Sequence, residues 1–290
     1  NASDGRLSPA QVLDLARERN ITLLSITDHD TLEGLEKALA LWAPGMPALL
    51  PGVEIGAGGD TEVHILGYGV HRGMKPLASL LAQMRDARQD RALHIVSKLQ
   101  GLGFSIHPEE IAPPQADSLG RVHIARTLVR KGLAQSVGEV FDKYLAPGRP
   151  GYVPRPRLKA SRAISLLRSC GAVPVIAHPG LLRLGEERLA PLLTAWMDAG
   201  LMGLEAYHPA HLPNTTGLWD RLARRRGLLV TGGSDFHGGG SHHLDLGAML
   251  PHWPSPREDV QALLAAVARS ASPAPAPGAP LPANPEHREK

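Results

Sequence analysis

Ala172-Val173-Pro174-Val175-Ile176-Ala177-His178-Pro179-Gly180 is the stretch that decides the fold. A short apolar run, too brief for a helix, stops on a histidine, and Pro-Gly then marks a turn. Helical patterns flank it, Lys159 to Cys170 before and Glu187 to Ala199 after. The same strand-then-helix unit recurs outward. Downstream, Gly203 to Ala206 reads as a strand ending at Tyr207-His208, and Thr215 to Arg226 as a helix. Leu228 to Thr231 reads as a strand leading to Ser234-Asp235-Phe236-His237, and Pro256 to Arg269 as the last helix. Upstream, Ser8 caps a helix with Pro9 in its first turn and Gln11 at the capping-box position, running to about Asn20. Ile21 to Ile26 is a strand ending at Thr27-Asp28-His29-Asp30, and Thr31 to Trp42 is helical. Ala48 to Val53 is a strand ending at Glu54, and Glu62 to Tyr68 a strand carrying His64.

Such alternation implies an α/β fold, with parallel strands and helices outside. A barrel and an open doubly wound sheet both satisfy the pattern. No glycine-rich phosphate loop follows any strand, which weakens the dinucleotide-binding form of the open sheet. The rhythm breaks at residues 76–156, where Pro76 to Leu102, Val122 to Gly132 and Val137 to Tyr144 read as helices with no strand between them. That segment is expected to be a helical cap inserted into a discontinuous main domain, 1–75 and 157–269. Residues 270–290, rich in Pro and Ala, are expected to be a disordered tail.

Composition narrows the function. The net charge is only +3, so the chain is less basic than a pI of 9.2 suggests, while the modest positive bias suits a phosphate-bearing substrate. The basic run Arg221 to Arg226 reads as a solvated helix face. No apolar run reaches the length of a membrane span. A single cysteine, Cys170, excludes an internal disulfide and fits a reducing compartment, so a cytoplasmic setting is expected. The 14 histidines outnumber the 4 Trp, 4 Tyr and 3 Phe together, which directs attention to metal and acid–base chemistry.

His29, Glu54, His64, His178, His208 and the Asp235/His237 pair all lie at or near the ends of expected strands. In a parallel barrel those ends converge on one face. Each has an ordinary structural reading: a helix cap for Thr27 to Asp30, a core histidine for His64, a turn lining for His178. Their joint placement is what makes a site. Nitrogen and oxygen donors without thiolate favour Zn, Mn, Fe or Mg. Carboxylates can bridge neighbouring ions, a suitable arrangement for phosphate ester hydrolysis. Asp235 and His237, at i and i+2 of an extended segment, would face the same side.

Ser3-Asp4-Gly5, Thr27-Asp28-His29-Asp30, Pro51-Gly52-Val53-Glu54, Val63-His64-Ile65-Leu66-Gly67, Ala177-His178-Pro179-Gly180 and Gly233-Ser234-Asp235-Phe236-His237, in this order, resemble the motifs of the PHP (polymerase and histidinol phosphatase) family. The resemblance implies a distorted (β/α)7 barrel with a helical cap. It implies two to three divalent ions per site, Mn first, with Mg, Zn or Fe as alternatives. It assigns metal roles to Asp4, His29, Glu54, His64, His178, Asp235 and His237, with Asp4, His29 and His237 also catalytic.

Within the family, Gly120-Arg121-Val122-His123-Ile124-Ala125-Arg126 and Tyr144-Leu145 leading into Gly148-Arg149-Pro150-Gly151-Tyr152-Val153 are similar to the RNase AM-like phosphoesterases, which act on 3′,5′-nucleotide bisphosphates and on 5′ ends of short RNA. This implies that Arg121, His123 and His208 bind substrate, with Arg126, Lys143 and Arg149 as further candidates and Tyr207 at the pocket wall. The expected function is hydrolysis of nucleotide phosphomonoesters by metal-activated hydroxide. The expected partner is a phosphorylated small molecule or a short RNA end, with no membrane and the oligomeric state left open. Histidinol-phosphate phosphatase or PHP exonuclease activity is the alternative. The family opens with a strand ending in His-x-His ahead of Ser-Asp-Gly. The chain begins at Asn1 without one, so the first strand is expected to be absent, and a non-catalytic binding domain is the reading from another class.

Overall fold

Ser8 Oγ accepts the Gln11 N–H while Gln11 Oε1 accepts the Ser8 N–H, closing the capping box that starts helix α1 (Pro9–Glu18). Val12, Leu13 and Ala16 form its buried face. The computed structural model describes residues 5, 7–58, 62–71, 73–111, 120–154, 158–182, 184, 186–238, 245–247 and 253–271. Asp4, His242, His243, His252, His287 and the expected tail from residue 272 onward lie outside them.

After α1 come β1 (Leu23–Leu24), α2 (Glu33–Leu41), β2 (Ala48–Leu49), β3 (Gly52–Gly58) and β4 (Glu62–Tyr68). The helical stretch holds α3 (Lys75–Gly101), α4 (Arg121–Arg130) and α5 (Val137–Val140), the last running into a wide turn at Phe141–Leu145. The chain then alternates through α6 (Ala160–Ser169), β5 (Val173–Ile176), α7 (Glu186–Asp198), β6 (Gly203–Tyr207), α8 (Pro213–Arg225), β7 (Leu229–Gly232) and α9 (Pro256–Ala271). The last helix therefore takes in Ser270 and Ala271, which the sequence places in the tail.

The fold is mixed α/β. Among the described residues, β1 and β2 form a parallel pair and the other strands a five-stranded sheet in the order β3-β4-β5-β6-β7. A parallel bridge between His29 and Glu54 links the two. The expectation of parallel strands throughout is corrected at β4, which runs antiparallel to both β3 and β5. Only residues 59–61 separate β3 from β4, whereas a parallel crossover needs a dozen residues or more. Two strand bounds also change. Ile21 to Ile26 is strand only at Leu23–Leu24, and Glu54 lies inside β3 rather than at the end of a strand from Ala48.

The sheet packs on α6, α7 and α8 through fully buried Val53, Ile55, Ile65, Ile164, Leu167 and Leu193. Each such side chain contributes about 1.5–3 kcal/mol by leaving water. A separate apolar cluster joins Ile95, Leu99, Ile106, Ile124, Leu128 and Leu145 within the helical stretch. Helix α3 has 27 residues, roughly 40 Å of rod. Its Leu77, Leu81 and Met84 enter the first cluster, and its Ala92, Ile95, Val96 and Leu99 enter the second. Arg88, between these two sets, pairs with Asp30, whose carboxylate is wholly buried.

Candidate metal centre

The bridge that joins the two sheets also brings the first ligand candidates together. The Asp30 N–H donates to the Glu54 carbonyl at 2.8 Å and the Glu54 N–H to the Asp28 carbonyl at 3.2 Å, which seats His29 beside Glu54. Asp30 Oδ1 accepts the Gly56 N–H at 3.0 Å, fixing the same corner from its side chain. His64 lies opposite Gly56 on β4. Because β4 is reversed, its first residues meet the last residues of β5, where the Ala177 N–H donates to the His64 carbonyl at 3.0 Å. His178 therefore arrives next to His64. Within β6, a register shift between Glu205 and Tyr207 re-aims the strand end that delivers His208. Asp235 and His237 follow β7.

Three of these positions are strained. Asp30, His178 and Asp235 have φ of 55°, 30° and 47°, a left-handed conformation that costs a non-glycine residue roughly 1–3 kcal/mol. The extended geometry expected for Asp235 to His237 is thereby corrected. Their proximity comes from a turn, in which His237 Nδ1 lies 2.6 Å from the Asp235 carbonyl oxygen and 3.6 Å from Oδ1.

Glu54 is the hub. His64 Nδ1 stands 2.8 Å and His178 Nε2 3.1 Å from Glu54 Oε1, and His29 Nδ1 stands 3.6 Å from Oε2. The ring nitrogens of His64 and His178 are 3.3 Å apart. The rings continue edge to face from His29 to His64, His178 and His208, with centroids 4.9, 5.0 and 5.3 Å apart in turn. His208 Nε2 then reaches Asp235 Oδ2 at 3.4 Å. Of the expected site residues, His29, Glu54, His64, His178, His208, Asp235 and His237 are thus gathered.

Arg121 and His123 are engaged in the helical layer instead. Arg121 Nη1 donates to the Leu145 carbonyl at 3.1 Å, and its guanidinium lies 5.3 Å from the Phe141 ring centre. His123 Nδ1 accepts the Gly120 N–H at 3.0 Å. Lys143 pairs with Glu139. Tyr207 stacks on Trp253, centroids 5.0 Å apart.

The electrostatics fit a cation. Burial pushes the Glu54 carboxyl up, but His29, His178 and His64 outweigh it and hold the group well below its usual range. Burial pulls His64 down, yet its contacts with Glu54 and Glu62 raise it to about 10. Burial pushes Asp235 up, and the bond to His208 with the nearby His237 brings it below its ordinary value. The Glu205 carboxyl, largely because it is buried, is pushed up to about 8. A carboxylate held ionised among three imidazoles is a place where a divalent ion would be stabilised. His29, Glu54 and His64 each offer a donor atom, and these atoms lie within 4.8 Å of one another. His178 Nδ1 is buried with no hydrogen-bond partner among the described residues. A nitrogen and carboxylate donor set of this kind suits Zn, Mn or Fe. His29, Glu54, His178, Asp235 and His237 line a cavity of about 740 Å³, within the size range of ligand pockets.

Two residues escaped the sequence reading. Glu205 is buried in β6, and its Oε2 accepts the His178 N–H at 2.8 Å. An acid inside the apolar strand Gly203-Leu-Glu-Ala-Tyr207 was the available signal. His211, buried beyond His208, accepts the Gly180 N–H at 3.0 Å. No local pattern marks it.

A histidine and carboxylate centre set in a mixed α/β fold defines a metal-dependent hydrolase, and the comparisons agree. A 3′,5′-nucleoside bisphosphate phosphatase of Chromobacterium violaceum is 34% identical over 256 residues, 84% of this chain and 87% of its own length. The 5′-3′ exoribonuclease Rnm of Escherichia coli is 34% identical over 242 residues, 81% of this chain and 82% of its own. A solved structure from Bifidobacterium adolescentis, described provisionally as a metal-dependent phosphoesterase, superposes with a TM-score of 0.79 at 30% identity, covering 91% of this chain and 92% of that one. No family model matches. The chain belongs to the PHP-type metal-dependent phosphoesterases, a family of hydrolases. No helix among the described residues is long and apolar enough to cross a membrane.

Proposed function

We propose that the chain hydrolyses phosphomonoesters of nucleotides, taking 3′,5′-nucleotide bisphosphates, 5′ ends of short RNA, or both. The convergence of His29, His64 and His178 on the Glu54 carboxylate carries this reading. His29, Glu54, His64 and His178 would hold one part of a cluster of two to three divalent ions, Mn first among them, and Asp235 with His237 the other. Asp4, outside the described residues, would join them. Bound ions supply water activation and neutralise the phosphate charge. Water adds to phosphorus, the P–O ester bond breaks, and the freed alcohol leaves with a proton.

The chain's own groups divide the remaining work. Ionised Glu54 and Asp235 provide negative charge where cations are needed. His237 Nδ1 is tied to the Asp235 carbonyl oxygen, which holds the ring beside the Asp235 carboxylate. His208 accepts the Ala210 N–H through Nδ1 at 3.1 Å, so its proton lies on Nε2, facing Asp235 Oδ2 at 3.4 Å, where it would hold that carboxylate in place. Arg121 keeps further donors in a planar fork suited to phosphate, and His123 is the second residue of the cap expected to contact it. We read the two sheets as one distorted barrel and residues 76–156 as its cap.

Mn-loaded protein should release phosphate from adenosine 3′,5′-bisphosphate, mononucleotides from 5′-phosphorylated RNA, or both, and lose this on Glu54→Gln. Hydrolysis of neither substrate, nor of histidinol phosphate, would overturn the reading.

A further inference from the structure

The turn at residues 178–180 is gripped at both ends by side chains from one segment, 205–211. At one end the Glu205 carboxylate accepts the His178 backbone N–H at 2.8 Å. At the other the His211 imidazole accepts the Gly180 N–H through Nε2 at 3.0 Å. His211 Nδ1, 2.8 Å from the Ala206 carbonyl oxygen, must then carry the proton and donate it there. With both nitrogens engaged, the tautomer is fixed and the ring cannot turn without losing two hydrogen bonds. The fit is close, since a Cβ on residue 180 would stand 2.6 Å from His211 Cδ2. Glu205 also lies under the loop after β7, where a Cβ on residue 233 would approach Glu205 Oε1 to 3.1 Å. Glu205 and His211 are only 6% and 8% exposed, and polar side chains are seldom buried so far without a partner to hold. Between these two contacts His178 keeps a φ of 30°, which an L-residue holds only under constraint.

We propose that Glu205 and His211 form a backbone clamp that aims His178 into the metal centre, and that both are positioning residues of that centre. Ligand orientation is commonly enforced through the ligand's second ring nitrogen. Here it runs through the main chain, and the His178 Nδ1 has no hydrogen-bond partner among the described residues. The segment that holds the clamp also carries His208, so one loop sets two neighbouring rings. The proposal rests on His178 being a metal ligand.

The test is Mn²⁺ affinity by isothermal titration calorimetry, with kcat and KM followed in parallel on a nucleotide bisphosphate. His211→Leu should weaken Mn²⁺ binding roughly 10- to 100-fold, the usual cost of losing a ligand's support. In that variant kcat should fall more than KM rises. His211→Gln, whose amide oxygen occupies the place of Nε2, should recover most of the loss. Parent-like affinity in a His211→Leu variant of normal circular dichroism overturns the clamp. Should that variant not fold, His211→Asn offers its acceptor at the wrong ring position. It must then bind Mn²⁺ more weakly than His211→Gln at equal Tm, and equal binding overturns the clamp. His178→Ala separates the two readings. Loss there but not in His211→Leu removes the clamp alone, and no loss in His178→Ala removes the assignment of His178 and the clamp with it.

Discussion

His64 Nδ1 lies 2.8 Å from Glu54 Oε1, and the two residues come from adjacent antiparallel strands of one sheet. Against burial, His29, His178 and His64 together hold Glu54 well below its usual range, and Glu54 with Glu62 raises His64. Replacing Glu54 with Gln removes both the charge and one donor. Metal affinity and phosphoesterase turnover should each fall by two orders of magnitude or more, on the order of 3 kcal/mol. Calorimetry and steady-state kinetics check this.

The same pair sets a pH dependence. His64 titrates near 10 in the folded chain against 6.5 in the unfolded one. Its contribution to stability is therefore full below pH 6.5 and is lost as pH rises through 10. Buried Glu205 is raised from 4.5 to about 8, so its contribution is lost between those values. Both act in one direction. The Tm of chelator-treated protein should fall from pH 6 to pH 10, and saturating Mn²⁺ should flatten that fall. Metal uptake below pH 10 should release protons, measurable in buffers of differing ionisation heat.

Asp30 and Arg88 form a buried ion pair. Arg88→Met takes the guanidinium away from the buried Asp30 carboxylate and should destabilise the protein by about 3–5 kcal/mol. Asp30→Asn in the same background should restore part of it. Urea unfolding of the single and double variants gives the coupling.

Leu99 is fully buried in the helical cluster alone. Leu99→Ala should cost about 2–5 kcal/mol. If residues 76–156 are a cap with its own core, KM for nucleotide should rise while Mn²⁺ affinity stays at the parent level. A matching loss of Mn²⁺ affinity would speak against a separate cap.

Gly180→Ala places a methyl 2.6 Å from His211 Cδ2. The overpacking should lower stability by about 1–3 kcal/mol. A thermal melt reads it directly.

Much of the fold is visible in local patterns. The rule of apolar run, then histidine, then turn identifies β5 and His178. Proline starts and apolar spacing identify α3 and α9. The direction of β4 was also legible, because residues 54–61, between the strands expected at Ala48 to Val53 and Glu62 to Tyr68, are too few for a crossover, but the surrounding strand-then-helix rhythm hides it. His29, Glu54, His64, His178, His208, Asp235 and His237 all end strands or interrupt them, and all converge. Glu205 and His211 act on backbone groups of another segment, a relationship with no periodicity to betray it. Arg88 and Asp30 likewise meet only through the packing of α3.

The hairpin that reverses β4 also bears on how the centre assembles. Glu54 and His64 are ten residues apart along the chain, so bringing them together costs little loop entropy. His178 must be fetched from 124 residues beyond Glu54. Hairpins close within about 1–10 μs, far sooner than long-range sheet contacts. A carboxylate and an imidazole can thus present a rudimentary cation site on a nascent, unfinished chain, and the ion can act as a template onto which the later histidines are drawn.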